Sequence, residues 1–572
     1  MWYGKWGVYL EREKTISIMT QSLDTNKYNG KPNILIGGDV CGIQKYIYQI
    51  VSEYAAKSLK GRSFYVHLLT DAIVRYLKDN LQGAELVYNS GGSFFIIAPK
   101  EQETALDTLI KNIEDKLWAR HRTSLYVAIT NVDLDTQNIE NGLNERFAEL
   151  FDKRDRKKFN KFANKISTDY ETFFTPHSMG CNNDVDEITG EYFTDDNDKT
   201  EILGNNNKMI RVRKITNKQI ELGKKLRNAK FLTISSGEGG DFDFLGYQYT
   251  LNKEHGEIEF NAENVDRPYY YAGSSWNFET FDTLCQSKGE DDFKRLGVLR
   301  MDVDNLGEKF QNFTKFKDFQ ELSQKLDKFF GKTLDDTKNS KYSNSVFIIY
   351  SGGDDVFAVG DWEDIISFAE DVHDDFVKEF EGFTISAGVS LITLKFPIMK
   401  GAEYAGDEET KAKGHSYFSG QFEKDSVSFM DFPMNWTEEF SKIRKLKQTL
   451  YEMDNLPSAF LQKVLQLWEM ADTGNINNKD KRISKTHLIS NDILSIYWLI
   501  AYNLGRFRER TNDDKIKSLL DNCINECCCS NLIDRKFNGE NINTIYHPLE
   551  LWAFACRWAE LERRTNIKQN NR

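Results

Sequence analysis

Ile349-Tyr350-Ser351-Gly352-Gly353-Asp354-Asp355-Val356-Phe357-Ala358-Val359 reads as a strand, a Ser-Gly-Gly turn and a second strand, a β-hairpin with carboxylates at its tip. About fifty residues earlier, Gly297-Val-Leu-Arg-Met-Asp302-Val-Asp304-Asn305-Leu306-Gly307 is an apolar strand that ends in an aspartate and runs into an amphipathic helix. A helical pattern over 362–379 and a β-rich run over 383–390 follow the hairpin. The order βαββαβ is the ferredoxin-like, or palm, arrangement.

The same order occurs once before. Ile34-Leu-Ile-Gly-Gly-Asp39-Val-Cys-Gly-Ile-Gln44 matches the strand that ends in an aspartate, and Tyr88-Asn-Ser90-Gly91-Gly92-Ser93-Phe94 matches the hairpin. A helix (102–118) and a β-rich run (124–130) complete the earlier copy. The chain is therefore expected to be an α+β protein with two ferredoxin-like (βαββαβ) palms. The expected divisions are a short N-terminal extension (1–32), a first, degenerate palm (33–150), a polar inserted helical and loop region (151–232), a second palm (233–435) and a C-terminal helical bundle (436–572).

At 572 residues, three or four domains are expected. An aromatic share of 13% excludes global disorder. A net charge of −13 argues against a free-standing nucleic-acid binder, so RNA contact would rely on local basic grooves or basic partners. The basic runs 57–62 and 442–447 read as solvated faces in preference to RNA contacts. Eight cysteines form no C-x-x-C pair, so no zinc is expected, and Cys523 and Cys527 are placed on one face of a reduced helix. Neither a signal peptide nor a membrane span is visible, and a cytoplasmic protein without membrane contact is expected.

The chemistry concentrates in the later copy. In a palm, the first strand and the hairpin lie side by side, which brings Asp302 to Asp354 and Asp355. Clustered carboxylates resist ionisation unless a cation joins them, and oxygen-only ligands suit Mg2+ or Mn2+. Such a site supports attack of a ribose hydroxyl on an α-phosphate with loss of pyrophosphate. Asp302, Asp354 and Asp355 are thus the expected catalytic and metal-binding residues. Asp304 is either a further ligand or simply a turn or helix-start residue. Ser351, Gly352 and Gly353 allow close approach of a nucleotide, and the N–H groups of Asn305, Leu306 and Gly307 are candidates for the triphosphate. Lys424, just before a later strand, is a candidate for the same role, or a solvated lysine. On its own, Gly-Gly-Asp-Asp also fits a surface turn. The early copy keeps Asp39 but has Ser93 and Phe94 in place of the aspartate pair. Gly91, Gly92 and Ser93 then either line a second nucleotide or belong to a packing partner.

Taken together, these stretches resemble the large subunit of type III (Csm/Cmr) CRISPR effector complexes, and the Csm branch more than the Cmr branch. The resemblance also rests on Ser58-Leu-Lys-Gly61-Arg62-Ser63-Phe64-Tyr65, Glu221-Leu-Gly-Lys-Lys-Leu226 and Cys556-Arg-Trp-Ala-Glu-Leu561. It implies an antiviral ribonucleoprotein holding crRNA and target RNA, with backbone, small and crRNA-tag-binding subunits. It also implies target-activated 3′–5′ joining of ATP into cyclic oligoadenylates at the GGDD copy. Two departures from the family pattern stand out. Only some thirty residues precede the first palm and they contain no His, so no HD-type DNase is expected; the one His-Asp pair, His373-Asp374, reads as a solvated helix face. Of a zinc-binding insert only His177 and Cys181 are present. A scaffold without turnover, ATP joined to another acceptor such as S-adenosylmethionine, and a stand-alone GGDEF-like cyclase are the other readings. A second palm carried on the same chain argues against the last.

Overall fold

The computed structural model describes residues 31–50, 55–134, 143–175, 185–193, 196–204, 208–254, 265–268, 280–285, 293–417, 422–453, 455–476, 491–528 and 548–566, with Tyr28, Trp276 and the short strands 536–537 and 540–541. The chain divides into two compact units. One comprises 1–285, 296–383 and 390–405, and the other 286–295, 384–389 and 406–572.

The first unit opens with the earlier copy: β1 (Asn33–Cys41), α1 (Ile43–Tyr48), α2 (Ala55–Asn80), β2 (Glu85–Ser90), β3 (Ser93–Pro99), α3 (Glu103–His121) and β4 (Tyr126–Leu134). The sheet order is β2-β3-β1-β4 with antiparallel neighbours, the ferredoxin-like arrangement. Apolar side chains of β1 and β3, including Ile34, Ile36, Phe94 and Ile96, pack with Phe64, Leu68 and Ile73 of α2 and Leu106 and Ile113 of α3. Helix α4 (Leu143–Phe159) follows. Next come the hairpin β5 (Lys199–Leu203) and β6 (Met209–Arg213), and then α5 (Lys214–Leu226). Strands β7 (Phe231–Ser236), β8 (Phe242–Phe244), β9 (Tyr247–Asn252) and β10 (Val265–Pro268) add an antiparallel sheet, in the order β10-β7-β9-β8, that the residue pattern did not single out.

The later copy runs β11 (Leu296–Val303), α6 (Leu306–Gln311), α7 (Phe316–Lys328), α8 (Leu334–Lys341), β12 (Val346–Gly352), β13 (Asp355–Asp361), α9 (Trp362–Glu379) and β14 (Ile385–Ile392), again βαββαβ. Strand β13 lies between β12 and β11, antiparallel to both. The duplication extends to an irregularity. The β12–β13 register slips between Ile348 and Tyr350, and the β2–β3 register slips at the matching place, between Leu86 and Tyr88.

Two expectations about charged groups are corrected here. Within the basic run 57–62, Lys60 and Arg62 are fully buried, not solvated. Helix α2 is covered by α5 and β12 as well as by its own sheet, so it has little solvated face. Lys60 Nζ donates to the carbonyls of Ile348 (3.2 Å) and Ile349 (3.4 Å), and Arg62 pairs with Glu191 (3.4 Å). His373 is also buried, because it neighbours the stripe Ala369, Val372 and Phe376 on α9; only Asp374, 3.1 Å from it, reaches solvent.

In the second unit, Ala387–Val389 of β14 pair in parallel with β15 (Ser426–Phe429), which pairs with β16 (Phe432–Asn435). Helices α10 (Ile398–Lys413, continuing from the first unit), α11 (Ser441–Glu452), α12 (Ser458–Ile476), α13 (Asn491–Arg510), α14 (Asp514–Cys528) and α15 (Pro548–Asn566) make up the helical C-terminal region. Lys447, from the second basic run, is buried, salt-bridged to Glu562 (2.9 Å) and seated over the Trp558 ring. Cys523 and Cys527 are both buried on α14, one turn apart. Among the described residues, no helix is long and apolar enough to cross a membrane.

Candidate metal and nucleotide site

Strand β11 carries Val298, Leu299 and Met301 into the core, and this anchors Asp302 near its C-terminal end. Asp302 stands directly opposite Asp355 in the β11–β13 ladder. Facing residues of an antiparallel pair hold their Cβ atoms about 5 Å apart, so the register alone puts two carboxylates together. Gly353 takes φ +70°, which turns the hairpin at the residue before Asp354. The Val303 N–H bonds the Asp354 carbonyl at 3.2 Å and ties this turn to the end of β11.

As a result, Asp302, Asp354 and Asp355 each offer a carboxylate oxygen, all within 4.8 Å of one another and partly buried. Burial, followed by the charges of Asp354 and Asp302, pushes the Asp355 carboxyl well above the usual range. Three clustered carboxylates, with only oxygen donors, fit a divalent cation that removes their repulsion. Asp304 is buried in the turn after β11 and is not part of this group.

The first palm places Asp39 opposite Ser93 in the same register. Here the charge is settled internally. Ser93 Oγ donates to Asp39 Oδ1 (2.6 Å), and Lys158 Nζ sits 2.8 Å from Asp39 Oδ2. The two Ser-Gly-Gly turns meet. The Gly353 N–H donates to Ser90 Oγ (3.1 Å).

Of the other expected residues, Ser351 donates its hydroxyl to the Phe330 carbonyl (2.6 Å) and so anchors the hairpin. Gly352 is open around its Cα, with only the Tyr350 side chain near. Asn305 adopts a left-handed conformation ahead of α6, which is only six residues long; Leu306 is buried and Gly307 is exposed. Gly91 and Gly92 both have positive φ. Lys424 belongs to the second unit, where it enters the turn before β15 with φ +63°. His177 and Cys181 lie outside the described residues.

One neighbour escaped the sequence reading. Gln44 of the first palm donates through Nε2 to Asp355 Oδ2 (3.0 Å) and accepts at Oε1 from Arg300 (2.8 Å). Gln44 closes the Gly38–Gln44 stretch, yet nothing periodic links it to a partner 311 positions away.

Residues 32–176 match the family profile "Csm1 subunit domain B", and residues 295–427 match "Cas10/Cmr2, second palm domain". The chain is 26% identical over 491 residues to a Methanocaldococcus jannaschii "CRISPR system single-strand-specific deoxyribonuclease Cas10/Csm1 (subtype III-A)", covering 72% of this chain and 61% of that protein. It is 29% identical over 483 residues to the Streptococcus thermophilus protein of the same description, covering 77% and 60%. The chain thus spans about 60% of the length of these curated relatives. Among solved structures, a Csm1–Csm4 cassette in complex with one ATP superposes with a TM-score of 0.61 at 19% identity, covering 92% of this chain and 70% of that one. A cassette with cA4 superposes at 0.60 and 19% identity, covering 94% and 71%.

Proposed function

We propose that this chain, which belongs to the Cas10/Csm1 family of type III CRISPR large subunits, synthesises cyclic oligoadenylates from ATP when its complex holds target RNA. The observation that carries this reading is the convergence of Asp302, Asp354 and Asp355 within 4.8 Å at the tip of a palm hairpin. The ATP- and cA4-bound Csm1–Csm4 cassettes support it, since their fold is shared over most of this chain.

The reaction joins a ribose 3′-oxygen to an α-phosphorus. The α–β phosphoanhydride bond breaks, pyrophosphate departs with the bonding pair, and the hydroxyl proton passes to solvent. Asp302, Asp354 and Asp355 would hold Mg2+ or Mn2+. Such ions, when bound, lower the pKa of the attacking hydroxyl and neutralise charge on the transferring and leaving groups. What the chain itself contributes is placement. Gly352, with open space around its Cα, admits phosphates to the hairpin backbone. Ser351 and Ser90 pin that tip from two sides. Gly91, Gly92 and Ser93 line the facing turn and hold the second nucleotide. Lys158 covers the Asp39 charge, so an incoming triphosphate meets no bare carboxylate there.

The partners in this reading are crRNA, target RNA and the other Csm-type subunits, among them a Csm4-like one; a Csm1–Csm4 pair within the type III-A interference complex shares this fold. The test is ATP consumption by the assembled complex carrying Asp354→Ala with Asp355→Ala. Turnover should fall to background while assembly persists. Normal turnover would show that the site lies elsewhere.

A further inference from the structure

Strand β13 carries both Asp355 and Phe357, and helix α1 of the first palm lies against it. Tyr48 packs on Phe357 with ring centroids 4.2 Å apart and the rings tilted by 36°, and the Arg300 guanidinium lies 6.0 Å from the Tyr48 ring centre. This docking sets Gln44, one helical turn before Tyr48, at the edge of the carboxylate cluster. We propose that Gln44 is a positioning residue for the second palm's metal site, supplied by the first palm, which holds the Asp355 carboxylate in its ligating orientation.

Hydrogen-bond chemistry fixes the direction of the amide. Arg300 can only donate, so the Gln44 atom facing it is the oxygen, at 2.8 Å. The amide NH2 is then turned to Asp355 Oδ2, at 3.0 Å. A carboxylate has about four acceptor positions, and this bond takes one of them. Asp355 also brings a carboxylate oxygen within 4.8 Å of one from Asp302 and one from Asp354. A neutral donor suits this place better than a cation would, because it orients the carboxylate without competing for its charge. The first palm has no carboxylate pair of its own, since Ser93 stands opposite Asp39. Through Gln44 it acts on the pair of its neighbour. Ligand orientation of this kind changes metal affinity by about 10–100-fold when the outer partner is removed.

The inference rests on the proposed metal site, so its test reads binding as well as turnover. Mn2+ binding is measured by loss of the free-ion electron paramagnetic resonance signal, on the assembled complex carrying wild-type chain, Gln44→Met, Arg300→Met, both together, or Asp355→Ala. Gln44→Met keeps the length of the side chain but neither hydrogen bond. It should weaken Mn2+ binding by about 10–100-fold and raise the metal concentration needed for half-maximal ATP consumption in parallel. Arg300→Met should weaken binding by a smaller factor, and the double variant should be no worse than Gln44→Met alone. If Gln44→Met does not assemble, the Arg300→Met shift carries the test. Unchanged Mn2+ affinity in soluble Gln44→Met, with only a lower melting temperature, overturns the proposal and leaves Gln44 a packing residue. Wild type and Asp355→Ala binding Mn2+ alike would instead overturn the metal site itself.

Discussion

Gly353 and Gly91 face each other across the seam between the palms. A Cβ on Gly353 would stand 2.9 Å from the Gly91 Cα, and one on Gly91 would stand 3.0 Å from the Gly353 Cα. Both residues have positive φ, at +70° and +60°. The two duplicated turns therefore meet backbone to backbone, and neither has room for a side chain. Gly353→Ala adds left-handed strain of about 1–2 kcal/mol and forces the tips apart. A misplacement of even 1 Å at a reacting centre costs on the order of 10²-fold in rate. The expected outcome is a folded, assembled chain whose ATP consumption falls by roughly that factor. Activity within twofold of wild type would show that the tips need not touch.

A second close approach concerns stability alone. Helices α2 and α5 cross at Gly61 and Gly223. A Cβ on Gly61 would lie 1.9 Å from the Gln219 carbonyl oxygen, and one on Gly223 would lie 2.2 Å from the Lys57 carbonyl oxygen. Backbone atoms cannot rotate away, so Gly61→Ala should cost about 1–3 kcal/mol. Gly505, inside α13, has nothing within 4 Å of its would-be Cβ. Gly505→Ala should instead stabilise its helix by about 0.5–1 kcal/mol. Urea unfolding of the two variants should move in opposite directions, and parallel shifts would contradict the crossing.

Lys60 should make stability depend on pH. It joins α2 to the irregular place in β12, donating to the Ile348 and Ile349 carbonyls. Burial pulls its ammonium down to about 7, with Lys338 acting the same way and Asp335 opposing. In an unfolded chain a lysine titrates near about 10.4. Between those two values the unfolded chain binds more protons, so this group makes stability rise with pH across the window. Its contribution is full above the unfolded value and is lost as the pH falls through about 7. Lys60→Met removes the group. The urea midpoint of wild type should therefore climb more steeply from pH 7 to pH 9.5 than that of the variant. Equal slopes would mean that Lys60 titrates as it does in solvent.

What could be read from the residues follows from how local each signal is. The hairpin around Gly352-Gly353, the strand ending at Asp302 and the earlier copy around Asp39 are short patterns in which each residue is explained by its sequence neighbours. The palm order then brings Asp302 to Asp355 with no further information. Gln44 and Lys60 find their partners 311 and 288–289 positions away, so their roles depend on how one palm packs on the other. Composition misled for the same reason. A lysine and an arginine in a basic run look solvated, yet Lys60 and Arg62 are covered because α2 is enclosed on several sides. His373 was misread because it borders an apolar stripe while its neighbour Asp374 faces water. Lys158 gave no local sign that it would neutralise Asp39, which lies in a different element.

The most direct test of the central claim is mass spectrometry of the products formed when the crRNA-loaded complex is incubated with ATP, Mg2+ and matching target RNA. The account predicts a ladder of cyclic adenylates that requires target RNA and disappears in the Asp354→Ala, Asp355→Ala complex. ATP left unreacted by the wild-type complex, or a ladder undiminished by the double substitution, would contradict it.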